Sequence, residues 1–387
     1  MILNDIHPEE QPGAASIAFN FAKELALKHK IEYWYSQGKF KPNLNIENFA
    51  LKPFRRFRFV PLQLQNYAII KRYREFFSLY LSFMFACRLL KLKPDLIWIH
   101  QLGNQLPRSL IIVIKILKIQ NIQTLHDFSL VLPGKLYPED LEVKKSNMEM
   151  HNFRSRKIHK RYIARRFLAI KLTNMNSKTI CLSELQKNIL DTFGVRVDFV
   201  LPNGVPRIGS VDIPIIVDDK KFNVVFVGRS IGKGLEKICE AVMQSRNAFL
   251  HLVGSEDLLN IAHEKLDQNR FKFHGRLSEP EVRNLIRQVD ITSVLSECFD
   301  VYPTITIESL IEGTPVITTQ TTGNASLVSE ISSELIIPLK MIPNLDEIAL
   351  IILEKEFQAK LKKAQLISVD LTESVRNYQD CYLLNSF

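Results

Sequence analysis

The chain has 387 residues, 46% of them hydrophobic and 24% charged, with a net charge of +10. At roughly 100–200 residues per domain the length predicts two or three domains, and the composition excludes disordered, collagen-like and disulfide-scaffold classes. The charge is uneven: residues 1–200 hold 32 Lys/Arg against 16 Asp/Glu, and residues 201–387 hold 19 against 25.

In the first half, apolar periodicity predicts helices over Ser16–Lys28, Asn66–Lys91, Gln105–Lys118, Met148–Met175 and Glu184–Phe193. Strand-like runs lie at Leu96–His100, Ile122–Leu125, Thr179–Leu182 and Asp198–Leu201. The rhythm breaks over Pro202–Lys221, where Asn203, Gly204, Pro206, Gly209 and Pro214 cluster in the manner of a linker. It resumes with the strand Asn223–Gly228, a helix from Gly234, and strands at Ala248–Gly254, Phe271–His274, Ile291–Leu295 and Pro315–Thr319. Apolar strands alternating with helices indicate parallel sheets covered on both faces. The expected fold is therefore α/β: two doubly wound domains facing a central cleft. Their expected extents are 1–203 and 204–369, with a helix at about 370–387 packing back on the first.

Two segments carry chemistry. Val224–Val242 places a buried strand before Gly228, Arg229 and Lys233, with a helix following. A helix N-terminus favours anions, and two cations at its mouth would clamp a diphosphate; solvated loop cations are the alternative. In the second segment, Asp290–Ser326, a strand leads to Asp300 and then to a helix near Thr304 that contains Glu308. There Glu308 would hold ribose hydroxyls and Asp300 a sugar hydroxyl, with acids that only complement the helix dipole as the alternative, while the backbone of Tyr302, Pro303 and Thr304 lies at the helix start.

The ordered set resembles the retaining nucleotide-sugar glycosyltransferases of family 4, which have the two-Rossmann GT-B architecture. Gly228-Arg229 with Lys233-Gly234 is similar to their G-R-x-x-x-K-G element. Asp300 and Glu308 match their acid-x7-acid element, with Asp at a position where Glu is usual, and Gly313-Thr314-Pro315-Val316-Ile317 matches the run that follows. Gly275-Arg276 resembles the family's base-binding loop. Gly13, in Gln11-Pro12-Gly13-Ala14-Ala15, resembles its glycine-rich first loop, although the family usually has two adjacent glycines there. The resemblance implies transfer from a nucleoside-diphosphate sugar to an acceptor hydroxyl with retention of configuration. The acceptor class it points to is a glycan or lipid-linked glycan of cell-surface polysaccharide. It also implies that His126 lies near the transferred sugar; His100 is the weaker candidate.

No D-x-D triplet occurs, so Arg229, Lys233 and helix N-termini are expected to balance the diphosphate, with no metal and no other cofactor. Five scattered cysteines without C-x-x-C spacing fit a reducing compartment. With no secretory signal visible, the expected location is cytoplasmic, peripheral at the inner membrane face. Residues 151–171 hold eight Lys/Arg and no acid, while Phe54–Phe59 and Lys71–Arg74 add further cations. An anionic membrane surface fits this charge; a solvated face and an anionic polymer acceptor are the alternatives, and no nucleic-acid module is present. Two rival functions stay open: a non-catalytic GT-B partner subunit and a nucleotide-sugar epimerase.

Overall fold

Short runs rich in β-branched and aromatic residues form two separate parallel sheets, one seven-stranded and one six-stranded. The computed structural model describes residues 1–6, 13–36, 49–54, 75–103, 106–132, 135–138, 141, 156–209, 217–218, 220–228, 232–367 and 370–383.

The first compact unit comprises Met1–Gly134, Asn147–Asn203 and Leu371–Phe387. Its strands are β1 (Ile2–Ile6), β2 (Ile31–Ser36), β3 (Phe49–Phe54), β4 (Ile97–Ile99), β5 (Asn121–Thr124), β6 (Lys178–Cys181) and β7 (Phe199–Val200). They lie in the order β3-β2-β1-β4-β5-β6-β7, so the winding direction reverses between β1 and β4. Helices α1 (Ala14–Ala26), α2 (Leu79–Leu92), α3 (Ser109–Ile116), α4 (Arg156–Thr173) and α5 (Glu184–Thr192) accompany them. The C-terminal helix Leu371–Leu383 packs on α1. Its Tyr378 meets Phe21 edge-on at 5.2 Å and lies 5.0 Å from Trp98, and the Tyr378 hydroxyl donates to the Leu201 carbonyl at 3.0 Å.

Several elements differ from the sequence expectation. Strands β2 and β3 had no predicted counterpart, because Glu32, Lys52 and Pro53 interrupt their apolar pattern. Of the helix expected over Asn66–Lys91, residues 66–74 lie outside the described residues, Glu75 and Phe76 are helical, and after a break at Phe77 and Ser78 helix α2 begins at Leu79. Ser78 is extended there and accepts a hydrogen bond from Leu81 N, which marks a helix start. Residues 55–74, with most of the aromatic-cation run and all of Lys71–Arg74, lie outside the described residues. The helix expected from Gln105 starts at Ser109, after Pro107 has biased Leu106 away from helical geometry.

The second unit comprises Lys135–Ser146 and Gly204–Asp370. Segment 135–146 thus sits with the second half rather than inside a first domain running to 203. Strands β8 (Phe222–Gly228), β9 (Ala248–Gly254), β10 (Phe271–Gly275), β11 (Ile291–Val294), β12 (Val316–Thr319) and β13 (Ile336–Ile337) lie in the order β10-β9-β8-β11-β12-β13. Helices α6 (Leu235–Gln244), α7 (Glu256–Lys265), α8 (Glu279–Gln288), α9 (Thr304–Glu312), α10 (Ala325–Ser329), α11 (Leu345–Ile351) and α12 (Lys355–Ile367) cover it. Alternation along β8 shows why both faces need cover. Val224 and Phe226 join one core with Ile238 and Val242 of α6, while Val225 joins a second core with Val282, Leu285 and Ile286 of α8.

The residues after Asn203 are tied to α8 and α9. Arg283, fully buried, donates to the carbonyls of Pro206 and Glu308 at 2.7 Å each and pairs with Glu312 at 3.1 Å. Arg287 also pairs with Glu312 and donates to the Ile208 carbonyl at 3.0 Å.

Candidate active site

Ligands of doubly wound sheets bind beyond the carboxyl ends of the strands, where the strand order reverses. In the second unit that point lies between β8 and β11, so the loops leaving these strands line it. They bring together two residues far apart in sequence: the Lys233 ammonium and the Asp300 carboxylate form an ion pair. Both side chains are part-buried, which strengthens the pair relative to one in open solvent.

Backbone contacts fix the loops. Glu297 N donates to the Gly232 carbonyl at 3.2 Å, and Cys298 Sγ approaches the same oxygen at 3.6 Å. Gly234 has φ +85°, and a Cβ there would stand 2.1 Å from the Leu295 carbonyl oxygen, so only glycine allows this approach. Gly228 is explained by packing: a Cβ would meet the Phe226 ring at 2.5 Å. Arg229 lies outside the described residues.

Threonines at and just beyond the end of β12 hold the second loop from the other side. The hydroxyls of Thr319 and Thr321 donate to the Ser296 carbonyl at 2.7 and 2.5 Å. Asp300 N donates to Thr321 O at 3.0 Å, and Gly323 N donates to Asp300 O at 2.7 Å. Asn324, buried, donates to the Pro303 carbonyl at 2.8 Å. Sequence reasoning missed Ser296 and Thr321; their one signal is a polar cluster directly after an apolar strand.

Helix α9 starts at this loop. Pro303 is its N-cap residue, no side chain caps it, and its first turn carries no acid. Its N-terminal partial positive charge is therefore met by no first-turn acid, only by Glu308 through the Thr304 hydroxyl. Thr306 Oγ1 and Ser296 Oγ are buried without hydrogen-bond partners. Tyr302 is buried, and burial raises its phenol pKa. Glu308 lies in the second turn, where burial raises its carboxyl pKa while the Arg283 guanidinium and the Thr304 hydroxyl pull it down. Gly275 ends β10 at φ +68° with open space around it, and the Arg276 side chain is exposed.

In the first unit, His100 follows β4 and His126 lies two residues beyond β5. Their rings stack 5.1 Å apart, with His100 Nδ1 and His126 Nε2 at 2.9 Å. Burial depresses both pKa values, that of His126 to about 4, so at neutral pH the pair is uncharged and shares a single hydrogen bond. His100, Arg108, Thr124, His126 and Asp127 line a small hollow there. A larger apolar cavity of about 490 Å³ opens at the amino ends of the strands, beside Ile31, Leu96 and Trp98, away from the carboxyl ends. Gly13 precedes α1 with φ +105° and no neighbour within 4 Å of a Cβ. Among the described residues no three His, Cys, Asp or Glu side chains are grouped to hold a metal, and no helix is long and apolar enough to cross a membrane.

Residues 214–365 match the family Glycosyl transferases group 1. The matched stretch lies within the second unit. That match spans both loops of the switch point, including Lys233, Asp300 and Glu308. The whole chain has the GT-B fold of solved glycosyltransferase structures. Sucrose-phosphate synthase of Thermosynechococcus elongatus is similar with TM-score 0.72 and 15% identity, over 99% of this chain and 98% of that one. Anabaena HepE in complex with UDP is similar with TM-score 0.68 and 17% identity, over 100% and 99%. WaaG, a glycosyltransferase involved in lipopolysaccharide biosynthesis, is similar with TM-score 0.65 and 14% identity, over 100% and 99%. No curated protein matches the chain in sequence.

Proposed function

We propose that this protein is a retaining glycosyltransferase that moves a sugar from a nucleoside-diphosphate sugar to an acceptor hydroxyl without an essential metal. The observation that carries this reading is the meeting of Lys233 and Asp300 at the switch point of a domain matching the group 1 glycosyl transferases. Lys233, with Arg229 and the N-termini of α6 and α9, balances charge developing on the leaving diphosphate. Gly234 keeps the first loop close enough for this contact. Asp300 holds a hydroxyl of the transferred sugar and Glu308 the ribose. Peptide groups from Tyr302 to Thr304 orient the sugar, although Pro303 has no N–H to give. The Gly275-Arg276 turn takes the base. Gly13 allows close backbone approach to the donor, and His126, uncharged, hydrogen-bonds the sugar. The leaving phosphate oxygen accepts the acceptor proton, so no separate carboxylate base is required.

The solved HepE structures contain UDP, glucose and UDP-glucose, which makes a uridine nucleotide the first donor to try. WaaG acts in lipopolysaccharide biosynthesis, which supports a glycan or lipid-linked glycan acceptor. Attachment to an anionic membrane is supported by Leu79, Phe83 and Leu90, exposed along α2, by Lys91 in its last turn, and by the basic sequence of α4. The test is nucleotide release from UDP-, GDP- and dTDP-sugars by the purified chain, with and without EDTA, followed by NMR of the product anomer. Release that persists in EDTA with retained configuration supports the reading. Neither release nor binding for any donor overturns it, and an altered donor sugar without transfer marks an epimerase.

A further inference from the structure

Residues 135–138 come from the first half of the sequence yet belong to the second unit. Leu136 is buried, and its carbonyl accepts a hydrogen bond from Phe299 N at 2.7 Å, one residue before Asp300. This anchor fixes the segment against the loop that follows β11. Lys135 and Tyr137, flanking Leu136, both reach Gly232 of the other loop. A Cβ built at Gly232 would stand 3.1 Å from Lys135 Nζ and 3.0 Å from Tyr137 Oη. Gly232 has φ +82° and immediately precedes Lys233, so the Lys135 ammonium lies against the backbone of the loop that carries the first cation. The buried Cys298 thiol lies near both charges: Lys233 and Lys135 each oppose the rise that burial imposes on it.

The two lysines differ in what they have to neutralise. Lys233 is paired with Asp300, so part of its charge is already balanced. Lys135 forms no ion pair among the described residues. An ammonium held against a glycine backbone, beside a helix N-terminus and a second lysine, makes a local concentration of positive charge that a phosphate group would relieve.

We propose that Lys135 is a further donor-binding residue, placing its ammonium on the diphosphate of the sugar nucleotide beside Gly232 and Lys233. The inference rests on the sugar-nucleotide reading above and adds a cation that the segment 204–370 does not contain. Lys135 acts in binding and in stabilising the leaving group, since the same charge faces the diphosphate before and after the glycosidic bond breaks.

Isothermal titration of the full chain with UDP, GDP, dTDP and the matching nucleosides tests this. Lys135→Ala is expected to weaken the preferred diphosphate by about tenfold, the effect of one charge-assisted hydrogen bond. It should leave nucleoside affinity and the melting temperature unchanged, and Lys135→Arg should restore most of the loss. Wild-type binding of a diphosphate with unaltered binding by Lys135→Ala overturns the inference and leaves the donor reading standing. Equal weakening of nucleoside and diphosphate also overturns it, because a structural role would act on both. A wild-type chain that binds none of the three diphosphates overturns the donor reading itself, and this inference with it.

Discussion

The Lys233 ammonium and the Asp300 carboxylate pair with each other across the two loops that leave β8 and β11. In the free protein each is therefore the other's counter-ion, and a diphosphate has to compete with Asp300 for Lys233. The two variants should consequently separate. On the proposed reading Lys233→Ala removes a cation from the leaving group, and kcat/KM should fall by about 100- to 1,000-fold, with weaker UDP binding. Asp300→Asn releases Lys233 while losing the proposed sugar contact, so UDP should bind at least as tightly while turnover falls. Initial rates with UDP-glucose and titration with UDP give both numbers. Equal weakening of UDP binding by the two substitutions would contradict this division of roles.

Two glycines of the second unit separate steric need from backbone strain. Gly234 combines φ +85° with a Cβ position 2.1 Å from the Leu295 carbonyl oxygen. Gly234→Ala should cost about 3 kcal/mol, from left-handed backbone strain plus forced displacement of β11's exit. Gly275 has φ +68° but open space, so Gly275→Ala should cost only the strain, about 1–2 kcal/mol. Urea unfolding of both variants measures the difference, and equal losses would remove the argument from close approach.

How far the molecule was legible beforehand follows from where the information sits. The strands β8, β9, β11 and β12 are short apolar runs bounded by turn residues, so their period and punctuation show them directly. β2 and β3 are held by pairing in register, Ile31 to Phe49 through Ser36 to Phe54, and pairing partners are invisible to a local pattern. The Lys233 loop and the Asp300 loop were recognisable from residue order, whereas their direct ion pairing was not. Lys135 gave no signal at all, since it reaches Gly232 by chain topology. Arg283 reads as one more solvated helix cation until its burial is seen.

That burial yields a stability prediction. Arg283 is 0% exposed, and its guanidinium holds the carbonyls of Pro206 and Glu308 as well as the Glu312 carboxylate. Removing it empties a fully buried side-chain volume, takes the donor from the Pro206 carbonyl and leaves Glu312 with Arg287 alone. Arg283→Ala should therefore destabilise the second unit by about 3–5 kcal/mol in urea unfolding. Arg276 is exposed, so Arg276→Ala should change stability by no more than about 0.5 kcal/mol while weakening nucleoside binding if the turn holds the base. An Arg283→Ala chain as stable as wild type would mean that the linker is held by other contacts.

Acid sensitivity should trace partly to His251, which is buried in β9. Its Nδ1 lies 3.0 Å from His274 Nε2, and its Nε2 lies 3.2 Å from Asn223 Oδ1. The Asn223 amide nitrogen already donates to the carbonyls of Asp218 and Lys221, so its oxygen is the acceptor and His251 Nε2 carries the hydrogen. At neutral pH burial keeps the imidazole uncharged. Burial lowers its pKa to about 4, with His274, Lys272 and Lys221 adding repulsion. In the unfolded chain the same group titrates near its ordinary value of 6.5. Above that pH both states are neutral and the stabilisation is complete. As pH falls from 6.5 to about 4 the unfolded chain takes up a proton that the folded one refuses, and stability drops by at most about 3 kcal/mol. His126, also lowered to about 4, titrates in the same window, so some slope should remain without His251. Melting temperatures of wild type and His251→Gln between pH 7 and pH 4.5 should diverge, with the variant losing less. Parallel curves would show that His251 is not the group that resists protonation.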